Sequence, residues 1–331
     1  MQVYVHEQGA VVRKRGGVLQ VKKGRKTLQE LPMSKIQQLI LVGNVQVTTQ
    51  AGKHMVRQGT DVVFITSGGD YDYRYDRSES KFAGLRRQQV NLCSNPQRSL
   101  EIARAIVVGK INNQRVVLAH RADNDRRAAN ALRGMLDMLK QVERAQTLHQ
   151  LRGFEGKAAA FYFEGVRTFF PAQWGFKKRQ YRPAPDPANA LLSYTYTLLL
   201  KDVKTRLHLV GLDPAFGFFH ALEDNRPSLA LDIMEEFRPS IADVVVLTLV
   251  MNGSLTLNDF EHTDEAGLPV KLTKPAREVL IAAYEERLSE TVFHPIANGQ
   301  TAYRSAIEYQ ARQLRWIVEG KAADYHTLQM Q

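Results

Sequence analysis

Cysteine is nearly missing from this chain: Cys93 is the single one among 331 residues. A disulfide within the chain is therefore excluded, and the composition suits a reducing compartment, so we expect a cytoplasmic location. Structural zinc held by several thiolates is excluded for the same reason. The longest apolar stretches, 190–200 and 244–251, are too polar or too short to span a bilayer, so no membrane association is expected. The N-terminus alternates polar and apolar residues and does not resemble a signal peptide.

Several catalytic signatures are missing as well. The sequence contains no HExxH, no Walker phosphate loop and no GxGxxG, so zincin, P-loop and Rossmann functions lack support. Acidic residues are in deficit: 34 Asp and Glu stand against 45 Lys and Arg, which gives a net charge of +11. Such an excess favours a polyanionic partner, most simply nucleic acid, although a merely basic enzyme would have the same charge.

The hydrophobic pattern changes near residue 80 and predicts two domains. Residues 1–75 contain short β-branched runs of strand length, separated by glycine turns and by one helix at about 48–57. The segment 76–98 is polar and has no clean period, which predicts a linker. Residues 99–331 follow a period of 3.6. The predicted fold class is therefore α+β, with an N-terminal β-rich domain followed by a larger all-α domain.

Individual elements can be assigned from the same pattern. The strands are expected in VYVHE, AVVRKRGGVLQVKKG, QLILVG and DVVFITSGG, with turns at Gly16-Gly17, Gly24, Gly43 and Gly68-Gly69. The helices are expected at 99–120, 122–140, 146–165, 188–208, 228–251, 274–286 and 303–319. Ser228 is placed to cap one of them, and Gly253 lies just beyond its end. A proline-marked loop at about 168–187 carries Lys177, Lys178, Arg179 and Arg182.

The most informative stretch is 211–239, GLDPAFGFFHALEDNRPSLALDIMEEFRP. It holds His220 among phenylalanines, and later Asp232, Glu235 and Glu236 on a predicted helix whose apolar stripe pulls them inward. An imidazole and carboxylates in apolar surroundings cost desolvation energy unless something compensates, and a divalent cation is one such compensation. The alternatives are a hydrogen-bonded core histidine and a solvated acidic face paired with Arg238.

A further carboxylate, Glu155, precedes Gly156 and a run of alanines, and Tyr162 falls seven residues later on roughly the same helix face. Glutamate and histidine ligands from separate segments suit Mg²⁺ or Mn²⁺. From residue chemistry alone, the chain is predicted to be a basic protein with a candidate metal site that acts on nucleic acid.

Longer motifs point to one family. They are GFEGKAAAFYF, YRPAPDPANALLSYTYTLLL and LDPAFGFFH followed by RPSLALDIMEEFRP, supported by KINNQR at 110–115, His294-Pro295 and Gln310-Ala311-Arg312. In this order and over essentially the whole chain, they resemble the CRISPR-associated (Cas) integrase and endonuclease, the first-numbered Cas protein and the catalytic subunit of spacer acquisition. The resemblance implies an N-terminal β domain and a C-terminal helical domain that is catalytic and binds metal and DNA.

The resemblance also implies roles for particular residues. Its metal ligands fall on Glu155, His220 and Glu235, the last of which is aspartate in some members. Asp232 matches a second acidic position that assists or lies beside the metal, and we count it with the catalytic residues. Asn189 and Tyr162 match positions near the site.

The implied reaction joins the 3′-hydroxyl ends of captured foreign DNA fragments to a CRISPR repeat, with Mg²⁺ or Mn²⁺ as cofactor. The implied partners are double-stranded DNA, a second copy of the chain, and a small ferredoxin-like Cas protein that bridges two such homodimers. Two other readings stay open: a stand-alone metal-dependent, structure-specific DNA nuclease, and a non-catalytic basic nucleic-acid-binding protein. The basic candidates for DNA contact are Arg86, Arg87, Lys110, Arg115, Arg126, Arg127, Lys177, Lys178 and Arg179.

Overall fold

The computed structural model describes residues 1–67, 71–75, 82–121, 125–180, 183–263 and 269–330. Two compact units are present, Met1–Lys81 and Phe82–Gln331. The predicted turn at Gly68-Gly69, residues 76–81 of the predicted linker and the predicted basic residue Arg182 lie outside the described residues. Across the ranges given above, no helix combines the length and the apolar character that a bilayer span requires.

The first unit is rich in strands and contains one helix. Its described elements are β1 (Gln2–Val5), β2 (Val11–Arg15), β3 (Val18–Lys23), β4 (Lys26–Pro32), β5 (Gln38–Val42), β6 (Gln46–Val47), α1 (Thr49–Arg57), β7 (Asp61–Ile65) and β8 (Tyr71–Tyr75). One sheet has the order β1-β5-β7-β8, with β1, β5 and β7 parallel and β8 antiparallel to β7. The other has the order β4-β3-β2-β6. Its β2–β3 hairpin turns at Gly16, whose φ of 60° is a conformation that glycine adopts readily.

The core of this unit follows from strand periodicity. Alternate residues such as Leu39 and Leu41 of β5 pack with Val62 and Phe64 of β7 in the main hydrophobic cluster. The intervening residues form a second, smaller cluster on the opposite face of the same strands. Both strands are buried along their whole length, which explains why each is apolar at every position after its first residue rather than alternating.

The second unit is mainly helical. Its described helices are α2 (Ala83–Cys93), α3 (Pro96–Arg121), α4 (Arg126–Arg144), α5 (Leu148–Val166), α6 (Pro187–Leu209), α7 (Ser228–Phe237), α8 (Val244–Met251), α9 (Lys274–Ser289) and α10 (Tyr303–Val318). Two short hairpins interrupt them, formed by β9 (Phe260–His262) with β10 (Val270–Leu272) and by β11 (Thr291–His294) with β12 (Gly299–Ala302). The predicted fold class is confirmed in outline, with these two hairpins as additions to the expected all-α part.

Three local predictions need correction. The expected linker 76–98 is helical from Ala83 to Cys93, because Leu85 and Gln89 of this otherwise polar segment are buried. The expected helix 228–251 is broken by a π-helical segment at 238–243, where Pro239 has no N–H to donate and α7 ends. Ser228 does not cap α7; its hydroxyl donates instead to the carbonyl of Ala221.

Candidate functional site

Three helices of the second unit bring two predicted ligands together around a lysine. Glu155 lies on α5 and Glu235 on α7, and Lys110 of α3 reaches between them. The Lys110 Nζ atom is 2.5 Å from Glu155 Oε1 and 2.5 Å from Glu235 Oε2. All three side chains are largely withdrawn from solvent, with Lys110 only 6% exposed. The two carboxylates therefore share a single buried cation.

Electrostatics at this cluster favours ionised groups despite burial. Burial would raise the pKa of Glu235, but Arg238, Lys110 and His220 outweigh it and lower the pKa to about 2. Burial would likewise lower the pKa of Lys110, but the charges of Glu155 and Glu235 raise it above its ordinary value. The site is thus a set of opposite charges that support one another.

His220 lies in the loop that precedes α7 and faces the same cluster. Its Nε2 atom is 3.7 Å from Glu235 Oε1, and its Nδ1 atom is 2.7 Å from Asp232 Oδ1. When Nδ1 carries the proton, it donates to Asp232 and leaves Nε2 free to bind a cation as neutral imidazole. This is the arrangement by which a carboxylate usually orients a metal-binding histidine.

Asp232 also shapes the backbone of this loop. Its Oδ2 atom accepts hydrogen bonds from the N–H groups of Phe218 at 2.6 Å and Phe219 at 3.0 Å, and Oδ1 accepts from the His220 N–H at 2.9 Å. Gly217 makes this approach feasible, because a Cβ there would lie 2.6 Å from Asp232 Oδ2. The fully buried Asp232 is therefore a positioning residue behind His220.

Two further side chains fix the loop from outside. Gln89 of α2 donates to the carbonyls of Asp213 and Phe216 and accepts from the Asp213 N–H. Arg152 of α5 donates from Nε and Nη2 to the carbonyl of Phe219. The histidine is thus held by contacts from three helices, which explains how a loop residue keeps one position.

A tyrosine–aspartate cluster lies beside the carboxylates. The hydroxyls of Tyr162 and Tyr196 donate to the two oxygens of Asp243, at 2.8 and 2.7 Å. Burial raises the pKa of Asp243 to about 6, and the hydrogen bonds from Tyr196 and Tyr162 oppose that rise. Tyr162 is fully buried, and its hydroxyl donates to Asp243. Its role in this structure is therefore to pack against and hydrogen-bond its neighbours.

Two arginines lie against the Tyr196 ring, and one of them also contacts Glu235. Arg238 lies over the Tyr196 ring at 4.9 Å from its centroid, and its Nη1 atom is 3.3 Å from Glu235 Oε1. Arg179 lies 5.1 Å from the same ring centroid. Asn189 holds Arg179 through its side-chain oxygen, at 2.9 Å from Nη1, and also donates to the Lys178 carbonyl. Asn189 therefore organises the basic loop near the site.

Glu236 does not join the site, although it follows Glu235 directly. Consecutive helix residues point in different directions, and Glu236 faces the C-terminal segment. It accepts hydrogen bonds from the Tyr325 hydroxyl, the Gln310 amide and the Leu328 N–H. Burial raises the pKa of Glu236 to about 7, against the opposing effect of these donors.

Among the described residues, no group of three or more His, Cys, Asp or Glu side chains is already arranged around a metal position. The Lys110 ammonium group instead lies between two of the expected ligands. The donors nevertheless fit a hard divalent ion: two carboxylates already bind a cation, and an oriented imidazole faces one of them. That Glu155, His220 and Glu235 together bind Mg²⁺ or Mn²⁺ stays a prediction.

The residues predicted to contact DNA lie in different environments. Arg87, Arg126, Arg127, Lys177 and Lys178 are exposed, whereas Arg86, Arg115 and Arg179 are half-buried. Lys110 is buried among carboxylates in this conformation, and its role as a DNA contact stays a prediction. Its sequence context, KINNQR, looks like a polar helix face, and only the fold reveals the acids that meet it.

The sequence predicted Arg238 only as a local ion-pair partner of the acidic residues. It did not single out Tyr196 or Asp243. A signal for Arg238 was present, since it follows Glu235 by three residues and so shares its helix face. Tyr196 and Asp243 are separated by 47 residues, and no local spacing links them.

Comparisons with known proteins agree with this architecture. Residues 3–286 match the family model described as CRISPR associated protein Cas1. A protein of Thermus thermophilus, the CRISPR-associated endonuclease Cas1 3, is 39% identical over 312 residues, which cover 94% of this chain and 91% of that protein.

Two solved structures share the fold at low sequence identity. A CAS1 protein from Thermotoga maritima has a TM-score of 0.84 at 23% identity, with 99% of each chain covered. A casposase bound to its integration product has a TM-score of 0.85 at 21% identity, covering 98% of this chain and 92% of that one. From the extent of these matches, the chain belongs to the Cas1 family of CRISPR-associated proteins.

Proposed function

We propose that this protein is a metal-dependent DNA integrase and endonuclease of CRISPR adaptation, which joins 3′-hydroxyl ends of captured DNA to CRISPR repeats. The observation that carries the proposal is a set of contacts in which Glu155 and Glu235 share the Lys110 ammonium group and His220 Nε2 lies 3.7 Å from Glu235 Oε1. The Thermus relative is an endonuclease, and the casposase of similar fold is bound to an integration product; both support the same class of chemistry.

The proposed reaction is a transesterification. The oxygen of a 3′-hydroxyl forms a bond to phosphorus as the bond from that phosphorus to the leaving 3′-oxygen breaks. The hydroxyl proton is lost and the leaving oxygen gains one, so one phosphodiester replaces another without a covalent bond to the protein. A bound Mg²⁺ or Mn²⁺ supplies Lewis-acid polarisation of the phosphate and stabilises charge on the entering or leaving oxygen.

The protein's own residues have separate tasks in this proposal. Glu155, His220 and Glu235 would hold the cation, and Asp232 keeps the His220 ring oriented through its contact with Nδ1. Arg238, held against the Tyr196 ring beside Glu235, supplies a fixed positive charge for an anionic phosphate. Asp243 holds Tyr196 by accepting its hydroxyl hydrogen bond, and Tyr162 holds Asp243 in the same way.

Duplex binding is proposed to rest on the exposed basic residues outside this cluster, including Lys177 and Lys178. The net charge of +11 supports this. We also propose a homodimer that works with a small ferredoxin-like Cas partner in the cytoplasm. One solved relative of this fold is a Cas6-RT-Cas1–Cas2 complex, and it supports the idea of a Cas partner.

The experiment is an integration assay on supercoiled, repeat-bearing DNA with the small partner present, run beside a gel-shift titration. His220→Ala is expected to abolish joining of a 3′-hydroxyl fragment and to leave duplex affinity nearly unchanged. His149→Ala, which removes an exposed histidine from α5, is the matched control and should behave as the parent. Full joining by His220→Ala, or equal loss of joining and binding, would contradict the proposal.

The same assay separates the two alternatives. Metal-dependent cutting of branched DNA with no joining, whether or not the partner is added, would favour a stand-alone nuclease. Duplex binding with neither cutting nor joining in Mg²⁺ or Mn²⁺ would favour a non-catalytic DNA-binding protein.

A further inference from the structure

The ammonium group of Lys110 lies at the same carboxylate oxygens that a metal ion would need. Its Nζ atom is 2.5 Å from Glu155 Oε1 and 2.5 Å from Glu235 Oε2, on two different helices. The Lys110 side chain is only 7% exposed. A positive charge is therefore already present between the two expected ligands.

Two cations cannot share this position. Mg²⁺ binds carboxylate oxygens at roughly 2.0–2.1 Å, closer than the ammonium nitrogen lies now. An ammonium group held at both oxygens would block the ion sterically and would repel its double charge in a poorly solvated site. Binding of a divalent ion therefore requires Lys110 to leave at least one of the carboxylates.

Lysine suits such a movement better than the neighbouring arginine. Its charge sits at the end of a flexible four-carbon chain with three equivalent donors, so it can change partners by rotating side-chain bonds. Arg238 also contacts Glu235, but it is fixed against the Tyr196 ring. Among the described residues, Arg238 forms an ion pair with Glu235 but none with Glu155.

We infer that Lys110 is a displaceable internal cation. Without metal it holds Glu155 and Glu235 close together. When a divalent ion enters, its ammonium group moves off and becomes available to an anionic DNA phosphate. This inference rests on the proposed metal-dependent function. The competing interpretation is a permanent structural ion pair, in which Lys110 never leaves the carboxylates.

If the metal displaces Lys110, removing the lysine charge should lower the stability of the metal-free protein and raise its affinity for the metal. Lys110→Met keeps the length of the side chain and deletes the ammonium group. Displacement predicts a lower melting temperature in chelator, because two buried carboxylates lose their partner. It also predicts tighter Mn²⁺ binding, on the order of tenfold, as expected for the loss of a competing ligand at a coupled site.

The measurements are Mn²⁺ titration calorimetry without DNA at pH 8, and melting curves of the full chain in chelator and in saturating Mn²⁺. The variant should gain more melting temperature from Mn²⁺ than the parent, since stabilisation grows with affinity. Lys140→Met, at an exposed lysine paired with Asp137 on α4, is the matched control and should leave both quantities unchanged.

A second measurement uses the unsubstituted protein and does not depend on the variant folding. An amine-reactive reagent followed by mass spectrometry reports the accessibility of each lysine. Lys110 should be protected in chelator and labelled in saturating Mn²⁺, whereas the exposed Lys157 on α5 should be labelled equally in both. Equal protection of Lys110 in both conditions would overturn the inference.

Failure of the inference and failure of the proposed function look different. If Glu155→Gln weakens Mn²⁺ binding but Lys110→Met binds no tighter than the parent, the metal site stands and displacement is wrong. If the parent binds no Mn²⁺, or Glu155→Gln binds it like the parent, the metal site itself is wrong and the inference falls with it.

Discussion

Asp232 holds His220 at two points with one oxygen: Oδ1 lies 2.7 Å from the ring Nδ1 and 2.9 Å from the backbone nitrogen of the same residue. The other oxygen binds the two preceding N–H groups. Ring orientation and loop conformation therefore depend on one buried carboxylate. The acidic position nearest to His220 serves the histidine, while Glu235, one helical turn later, faces the cation.

Asp232→Asn is expected to weaken Mn²⁺ binding by about 10–100-fold, the usual cost of losing a carboxylate behind a metal-binding histidine. Asparagine presents one acceptor oxygen where four donors now converge, so the ring loses its orientation. Calorimetric titration measures the affinity, with Asp137→Asn on the exposed face of α4 as control. Parent-like Mn²⁺ affinity in Asp232→Asn would contradict a positioning role.

Gly217→Ala is expected to destabilise the protein by about 1–3 kcal/mol, as overpacking of a close contact usually does. The added Cβ would lie 2.6 Å from Asp232 Oδ2 and 2.8 Å from the Leu229 nitrogen. Gly156→Ala is the matched control, because a Cβ at that helical position would meet nothing within 4 Å beyond its chain neighbours and the backbone of its own helix. It should stabilise the protein slightly, by about 0.5–1 kcal/mol. Urea unfolding measures the stability of both variants. Equal stabilities would contradict the close approach of Gly217 to Asp232.

The architecture was predictable wherever a period was strong. Continuous 3.6-residue patterns predicted most helices of the second unit to within a few residues, for example α10 at Tyr303–Val318. Residues 238–243 were not separable from the helices on either side, because the segment is as buried as they are. The Ser240 carbonyl of this segment accepts two hydrogen bonds from Arg287, a distant partner that no local pattern reveals.

The proximity of His220 to Glu235 was predictable from the sequence, but the cation that Glu235 shares with Glu155 was not. Apolar surroundings single out His220 and Glu235, and their family motifs give the order. Lys110 lies 45 residues before Glu155 in the chain, on a helix whose polar positions look solvent-facing. Its burial is decided by the packing of α3, α5 and α7, which sequence periodicity does not specify.

Glu236→Ala is expected to destabilise the protein by about 2–6 kcal/mol, because each buried donor left unpaired costs about 1–3 kcal/mol. The Tyr325 hydroxyl and the Leu328 N–H would lose their acceptor, and the C-terminal segment would detach from α7. Hydrogen exchange of residues 322–330 should rise in this variant. Glu223→Ala, at an exposed carboxylate, should leave both stability and exchange unchanged. Parent-like exchange in Glu236→Ala would show that other contacts hold the segment.

Acid should weaken the fold through Glu235. Its pKa is lowered from 4.5 to about 2 in the folded protein by Arg238, Lys110 and His220, against the effect of burial. A depressed folded-state pKa contributes stability that is present above the unfolded value of 4.5 and is lost as the pH falls toward about 2.

In Glu235→Gln, this loss of stability with falling pH should be smaller than in the parent. Urea unfolding in metal-free buffer across this pH window measures it. Glu261→Gln, at an exposed residue of β9, should keep the pH dependence of the parent. An identical dependence in Glu235→Gln and the parent would show that the ion pairs of Glu235 contribute nothing to folding.

DNA binding should depend on salt, and it should be separable from the metal cluster. Each phosphate neutralised contributes a slope of about −0.9 in log K against log salt, so losing both Lys177 and Lys178 should make the slope shallower by up to about 1.8. Both side chains are exposed and have no part in the carboxylate cluster.

The measurement is fluorescence anisotropy with duplex DNA at several salt concentrations. The double variant Lys177→Gln/Lys178→Gln is compared with Lys140→Gln, whose slope should equal that of the parent. Mn²⁺ affinity should be the same in all three proteins, because the lysines lie outside the cation site. An unchanged slope in the double variant would remove this loop from the DNA-binding surface, and a parent slope near zero would contradict electrostatic binding altogether.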